Sequence, residues 1–132
     1  MSSVIALSEA AAIGLHSMAL IALSKKVVNV TEIAKKIGSS RHHTAKIMQR
    51  LSKRGFLEST RGPSGGFCLK KKPEEISLLD IYEAVEGKIT AHSCLASKEK
   101  CPFGACLLGD LASKMTAEIW NHLSSKKLSD YL

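Results

Sequence analysis

Glycines mark the points at which the middle of this chain changes from helix to turn. Gly38 ends a short helical segment that we predict to begin at Thr31. Gly55 ends a second segment, residues 41–54, for which Ser39-Ser40 offers an N-cap. Two helices joined by a turn of about four residues that contains glycine are typical of a helix-turn-helix. This pattern leaves few other folds open.

A β-hairpin is predicted directly after the second of these helices. Residues 56–59 form a short apolar-to-polar strand, residues 61–66 (RGPSGG) are dense in turn-forming types, and residues 67–69 alternate like a returning strand. Helix, turn, helix and hairpin in this order predict a winged helix-turn-helix, in which the hairpin is the wing.

The flanking segments are predicted to be helical. Residues 8–24 carry apolar side chains all round the helix axis, which indicates a buried helix, and Ser77 caps another helix that stops at Gly87. The last helix is predicted to start near Leu107, and its apolar stripe favours pairing with a second copy over packing on its own domain. The stripe consists of Leu107, Leu111, Met115 and Ile119, joined by Leu108, Ala112, Trp120 and Leu123.

The expected fold is therefore mainly α-helical with a small β-hairpin. We expect a winged helix-turn-helix DNA-binding domain over residues 1–87 and a cysteine-rich loop over residues 88–106. A dimerisation helix and tail would follow over residues 107–132.

Positive charge is concentrated in the predicted winged helix-turn-helix. Residues 25–72 contain 13 of the 19 Lys and Arg residues but only two of the 12 acidic ones. Such a block is typical of a surface that binds a polyanion, and double-stranded DNA is the expected partner. A protein-interaction module whose basic face meets an acidic protein is the more distant alternative.

In a helix-turn-helix, the N-terminal residues of the second helix meet base edges and phosphates. In the wing, an arginine at the base of the loop can enter the minor groove, and glycines allow close approach to a phosphate. The candidate DNA-binding residues are Ser40, Arg41, His42, His43, Thr44 and Lys46 in the helix, with Arg61, Ser64 and Gly65 in the wing.

Three cysteines fall close together after the winged domain. Cys94, Cys101 and Cys106 lie within 13 positions, and three thiolates in one loop suit zinc or an iron–sulfur cluster. A fourth donor is needed, for which Cys68, His92, Asp110 and Glu9 are candidates, and His92 would complete a Cys3His zinc site. A metal-free redox switch, in which two of these cysteines form a disulfide, also stays open.

Several classes of protein are disfavoured. No phosphate-binding P-loop or HExxH motif is present, and few acids can pair as catalytic carboxylates, so an enzyme is not expected. The longest near-apolar stretch, residues 10–23, is shorter than the ~20 residues needed to cross a bilayer. No membrane association and a cytoplasmic location are expected.

The sequence resembles the Rrf-type winged-helix transcriptional regulators, the family that includes the IscR and NsrR types. The resemblance is carried by Ser8-Glu9 in the first helix, Glu32-Ile33-Ala34 in the helix-turn-helix, Arg50-Leu51 before Gly55, the wing segment Arg61–Leu69 (RGPSGGFCL) and the cysteine triad. It implies a homodimer that binds a palindromic operator, with Arg61 as the minor-groove reader.

The same resemblance implies that Cys94, Cys101 and Cys106 are ligands of an iron–sulfur cluster. The position three after the last cysteine is a histidine ligand in the IscR type and is Gly109 here, whereas Glu9 occupies the place of the acid that NsrR-type proteins supply from the other subunit. The implied function is a cluster-dependent regulator, most often a repressor, that senses nitric oxide, redox or iron–sulfur status. A zinc-stabilised regulator and the metal-free thiol switch are the alternatives.

Overall fold

A computed structural model of the chain describes residues 5–90 and 102–132. Helices and one hairpin follow each other along the described residues, with a short 3₁₀ helix before α4 and another after α5. The elements are α1 (Glu9–Ser24), α2 (Val30–Ile37), α3 (Arg41–Lys53), β1 (Leu57–Thr60), β2 (Gly66–Leu69), the 3₁₀ helix Pro73–Glu75, α4 (Leu78–Glu86), α5 (Leu111–Ser125) and the 3₁₀ helix Leu128–Tyr131.

Helix α1 runs through the centre of the domain, as its all-round apolar sequence predicts. Ser8 caps its N-terminus, because the Ser8 hydroxyl accepts a hydrogen bond from the backbone N–H of Ala11. Met18 and Ile21 are buried on it, and α1 packs against α3 and α4. At Gly14 the two helices α1 and α4 approach so closely that a Cβ atom would lie 2.9 Å from Val85 Cγ2. Glycine is therefore required there for packing.

The helix-turn-helix consists of α2 and α3. Helix α2 begins earlier than predicted, because the side chain of Asn29, rather than that of Thr31, caps it by accepting from the backbone N–H of Glu32. Gly38 ends α2 with a left-handed φ of 74°, which confirms the predicted stop. Of the predicted N-cap pair Ser39-Ser40, it is Ser40 that caps α3, by accepting from the N–H of His43.

The wing is a two-stranded antiparallel hairpin that is attached to the helix pair. Leu57 pairs with Leu69 at its base and Thr60 pairs with Gly66 at its tip. Val28, which lies just before α2, donates to Phe67 O at 2.9 Å and accepts from Phe67 N at 2.8 Å. The segment before α2 is thus joined to β2, and the wing is fixed beside the helix-turn-helix.

This attachment leaves no room for a side chain at the start of β2. A Cβ atom on Gly66 would lie 2.3 Å from Val28 O and 2.7 Å from Asn29 N. The sequence analysis assigned the wing glycines to a close approach of DNA. At Gly66 the structure gives a different physical reason, because the close neighbour is the protein's own backbone.

Helix α5 begins at Leu111 rather than near Leu107. A turn precedes it, in which Gly109 N donates to Cys106 O and has a φ of 61°. Ala112 and Leu123 are buried on α5, whereas the predicted stripe residues Leu107 and Ile119 are exposed.

The segment after α5 returns to the winged domain, which the sequence analysis does not anticipate. Leu128 is fully buried in the core, and its N–H donates to Ile76 O at 2.8 Å. The N–H of Leu78 in turn donates to Lys126 O at 3.0 Å. The end of the chain therefore stabilises the region in which α4 begins.

The architecture confirms the predicted fold class, which is mainly helical with a winged helix-turn-helix and a further helix, α5. The main core is formed by side chains of all four helices α1 to α4, the base of the wing and Leu128. Among the described residues, no helix has the length and hydrophobicity that crossing a bilayer demands.

Replacing Gly66 by Ala tests the attachment of the wing. We expect a loss of about 1–3 kcal/mol in the free energy of unfolding, because the added methyl group meets the backbone at Val28. Urea denaturation measures the loss. Gly104→Ala is the matched control, since a Cβ atom there has no neighbour within 4 Å. Equal stability of the two variants would contradict the packing assigned to Gly66.

Candidate nucleic-acid interface

The N-terminal half of α3 exposes most of the predicted DNA-contacting side chains. Arg41, His42 and Lys46 are exposed, and no acidic side chain in the described ranges forms an ion pair with any of them. The hydroxyl of Ser40 accepts from the N–H of His43 at 3.1 Å and so holds the first turn of α3 in place. Ser40 itself is exposed at the surface. The structure thus brings Ser40, Arg41, His42 and Lys46 together at one end of α3.

Thr44 was predicted to donate to DNA, and this prediction is wrong. The residue is fully buried, and its hydroxyl donates to Ser40 O at 2.7 Å and is also hydrogen-bonded to the hydroxyl of Ser39. A side chain without accessible surface cannot reach a base or a phosphate. Thr44 instead stabilises the turn between α2 and α3 from the inside.

His43 contacts α1 instead of extending fully into solvent. Its Nδ1 lies 3.7 Å from Oε1 of Glu9, and its side chain is 35% exposed, against 73% for Glu9. The predicted DNA-binding residue His43 and the predicted cluster ligand Glu9 are therefore neighbours within one chain. The sequence offers no signal for this contact, since the two residues belong to helices that meet only in the fold.

The wing exposes the predicted residues Arg61 and Ser64 at its loop. No ion pair involves Arg61 in the described part of the chain. Gly65 is half-buried, and its N–H donates to Gly62 O at 2.9 Å, so the loop uses this donor internally. A Cβ atom on Gly65 would lie 2.2 Å from Thr60 O, which explains the glycine by loop packing.

Three other cations of the basic block have partners within the protein. Arg50 donates from Nη1 to Val85 O at 2.9 Å and so ties α3 to α4. Lys36 pairs with Glu32 at 3.3 Å on α2, and the Nζ of Lys71 lies 4.9 Å from the ring centroid of Phe56. In the described part of the chain no ion pair involves Arg41 and Lys46 on α3 or Arg61 in the wing loop, and exposed lysines elsewhere in the block, such as Lys35 on α2, add further positive charge.

One exposed residue of α3 was missed by the sequence analysis. Gln49 lies one turn beyond Ala45 and Lys46, and its amide is exposed on the surface of α3. Helical spacing from Arg41 and Lys46 would have indicated it. An amide at such a position can bond to a base edge in the major groove.

The predicted metal ligands are described only in part. Cys94 and Cys101 lie outside the described residues, whereas Cys106 has a free, exposed thiol. The described residues contain no group of three or more His, Cys, Asp or Glu side chains placed to hold a metal ion. Among the other candidates, the thiol of Cys68 is half-buried and 3.9 Å from Glu58 O, and Asp110 pairs with Lys114 at 3.3 Å.

The fold and the exposed cations together define a class of protein. A helix-turn-helix with a wing, whose recognition helix and wing loop expose unpaired cations, is the architecture of winged-helix DNA-binding regulators.

Comparison with known proteins then identifies the family. A model of the Rrf2 family, described as iron-dependent transcriptional regulators, matches residues 7–132. The chain belongs to this family. Its members and the relatives below are transcriptional regulators, which confirms that the chain is not an enzyme.

Individual relatives cover the chain to different extents. A helix-turn-helix transcriptional regulator of Aquifex aeolicus (strain VF5) is 33% identical over 122 residues, which are 89% of this chain and 85% of that protein. The transcriptional regulator IscR of Aliivibrio salmonicida (strain LFI1238) is 32% identical over 80% of this chain, and the matched part is 57% of its own length. This chain thus spans little more than half of that IscR.

A solved structure supports the fold. CymR of B. subtilis, described as the global cysteine regulator, superposes with a TM-score of 0.77 at 24% identity and covers 96% of this chain and 95% of its own.

Proposed function

We propose that this protein is a homodimeric repressor that binds palindromic operator DNA, and whose binding responds to an iron–sulfur cluster. One observation carries the DNA-binding part. Arg41, at the start of α3, and the loop residues Gly62 and Gly65 of the wing line the same cleft, so that the N-terminal end of α3 and the wing loop lie beside each other.

This arrangement suits the two grooves of one duplex. Helix α3 would enter the major groove with its N-terminal half, which carries His42 and Lys46, and Arg61 of the wing would reach the adjacent minor groove. Arg41, the first residue of α3, would contact the DNA backbone. Ser64 at the loop tip and the cap at Ser40 would contact phosphates. Phosphate contacts would position the protein, and the groove contacts would read sequence.

Removing Lys46 or Arg61 tests this surface. For Lys46→Ala and Arg61→Ala, we expect the slope of log K against log salt to become less steep by about 0.9 each, because each variant loses one positive charge that displaces a counterion from the DNA. Fluorescence anisotropy with a duplex of about 30 base pairs, which offers roughly three turns, measures the slope. Lys114→Ala is the control, because it removes the same charge from α5. The same slope for all three variants and the wild type would show that DNA does not bind to this surface.

The dimer is proposed from the surface of α5 and the turn before it. Leu107 is 80% exposed, and Leu111, Ile119 and Trp120 are 39–45% exposed. Large apolar side chains grouped in this way mark an interaction surface, and an identical α5 is the partner that offers the same apolar surface in return. A dimer would also place two copies of α3 on two half-sites about one DNA turn apart.

The double substitution Leu111→Asp with Ile119→Asp tests this interface. We expect the wild type to sediment as a dimer at micromolar concentration and the variant as a monomer, because buried carboxylates without partners oppose association. Analytical ultracentrifugation distinguishes the two states. Ala117→Asp adds a charge at another exposed position of α5 and should remain dimeric. A monomeric wild type or a dimeric double variant would contradict the proposal.

The cluster is proposed from the donor set. Thiolates are the ligands that iron–sulfur clusters require, and the thiol of Cys106 is free and accessible. Cys94, Cys101 and Cys106 would hold the cluster, with the exposed carboxylate of Glu9 from a second copy as fourth ligand. When bound, such a group supplies a redox-sensitive and nitric-oxide-sensitive centre between the winged domain and α5.

Substitution of each cysteine tests this ligand set. After anaerobic purification, we expect visible absorption with iron and sulfide in the wild type, and its loss in Cys94→Ser, Cys101→Ser and Cys106→Ser. Cys68→Ser should retain the absorption, because its half-buried thiol lies in the wing. Glu9→Ala should lose the cluster faster in the presence of a chelator, since one ligand is missing.

The other outcomes of this experiment correspond to the alternatives. A colourless protein that contains stoichiometric zinc would favour a Cys3His zinc site that includes His92 over the cluster. A metal-free protein in which oxidation forms a disulfide would instead identify a thiol switch. Because the fold resembles that of the cysteine regulator CymR, the number of free thiols is measured in parallel. Either result would overturn the cluster and leave the DNA-binding proposal intact.

A further inference from the structure

The side chains of the two helices of the helix-turn-helix are joined at the protein surface by one hydrogen bond. Nε of Arg41, the first residue of α3, donates to Oγ1 of Thr31 near the start of α2 at a distance of 3.0 Å. Both residues are exposed. An exposed arginine normally samples many rotamers, at a cost of about 2 kcal/mol when it is immobilised. The bond to Thr31 removes part of that freedom before any ligand arrives.

The bond leaves the end of the guanidinium group available. Nε is the donor that Thr31 uses, so the two terminal nitrogens keep their four N–H groups. These groups form the planar fork that binds phosphate oxygens in pairs. No acidic side chain in the described ranges forms an ion pair with Arg41.

Arg41 also lines a cleft between α2 and the wing. The cleft has a volume of about 570 Å³, and Thr31, Lys35 and Arg41 line its helical side, whereas Gly62, Pro63 and Gly65 line its wing side. Glu32 also lines it, but its carboxylate lies 3.3 Å from Nζ of Lys36 on the next turn. Within residues 5–90 and 102–132, neither Arg41 nor Lys35 forms an ion pair with an acidic side chain, whereas Glu32 is paired with Lys36, and this balance of charge favours an anion in the cleft.

We propose that Thr31 is a positioning residue for DNA binding, which holds the Arg41 guanidinium so that it clamps one backbone phosphate in the cleft between α2 and the wing. The inference rests on the proposed function, since the phosphate belongs to the bound duplex. Lys35 adds a second positive charge on the helical side. On the wing side the cleft is lined by Gly62, Pro63 and Gly65, none of which has a charged side chain that would oppose a phosphate.

A matched pair of substitutions isolates the hydroxyl group. Thr31→Val keeps the shape of the side chain and removes the acceptor, and Thr31→Ser keeps the hydroxyl. Neither removes the cap of α2, which Asn29 provides. The same duplex of about 30 base pairs serves as the probe in anisotropy titrations at several salt concentrations.

We expect Thr31→Val to raise Kd by about 3–10-fold, the effect of one hydrogen bond, with the wild-type salt slope and melting temperature. Thr31→Ser should bind like the wild type. Arg41→Ala should raise Kd further and lower the slope by about 0.9, because it removes a charge. In the Arg41→Ala background, Thr31→Val should have no additional effect, because Thr31 acts through Arg41.

Each other outcome overturns a defined part of this proposal. A wild-type chain that binds DNA no better than Thr31→Val would overturn the positioning role alone. A Thr31→Val effect that persists in the Arg41→Ala background would show that Thr31 contacts DNA independently of Arg41. A wild-type chain that binds no duplex at low salt would overturn the proposed function and this inference together.

Discussion

The pair of hydrogen bonds between Val28 and Phe67 determines where the wing lies relative to the helix-turn-helix. Val28 is fully buried directly before α2, and Phe67 lies in β2. Because both bonds are backbone bonds at 2.8–2.9 Å, they fix the hairpin without depending on side-chain rotamers. Gly66 is required for the same contact. A recognition helix and a wing held at a fixed separation can engage adjacent grooves of one duplex.

The distribution of charge follows from this geometry. Some cations of the basic block stabilise the fold, such as Arg50, which donates a hydrogen bond to the backbone carbonyl of Val85 in the last turn of α4. Others are exposed on α3 and the wing. Ion pairs on an exposed surface contribute little to stability, so the unpaired cations cost the fold little. On DNA, such cations would favour binding because they displace counterions from the phosphates. The cations that stabilise the fold are thus separate from the exposed cations that the proposed polyanion-binding surface would use.

The sequence was sufficient for features that depend on local chemistry. The stop at Gly38 and the caps at Ser40 and Ser77 were predicted correctly, because capping and left-handed backbone conformations have strong residue preferences. The start of α2 was misplaced because Asn29 and Thr31 are both suitable cap residues, and Asn29 is the one that accepts from the N–H of Glu32. Local preference alone cannot distinguish them.

Features that depend on tertiary contacts were not accessible from the sequence. Thr44 has a polar side chain in a polar segment, and only the packing of α3 shows that its hydroxyl is buried. Leu128 follows a lysine pair outside any periodic stretch, so its burial against Ile76 has no signal along the chain. The contact of Glu9 with His43 likewise arises only when α1 meets α3.

The most direct test of a recognition helix and wing fixed beside each other is chemical protection of DNA by the bound protein. Dimethyl sulfate methylates guanine N7 in the major groove and adenine N3 in the minor groove, so one reagent reports both grooves. On a duplex that the protein itself selects from a random pool, we predict protected guanines and, about half a turn away, protected adenines in each of two half-sites. Protection in one groove only, or in neither, would contradict the account.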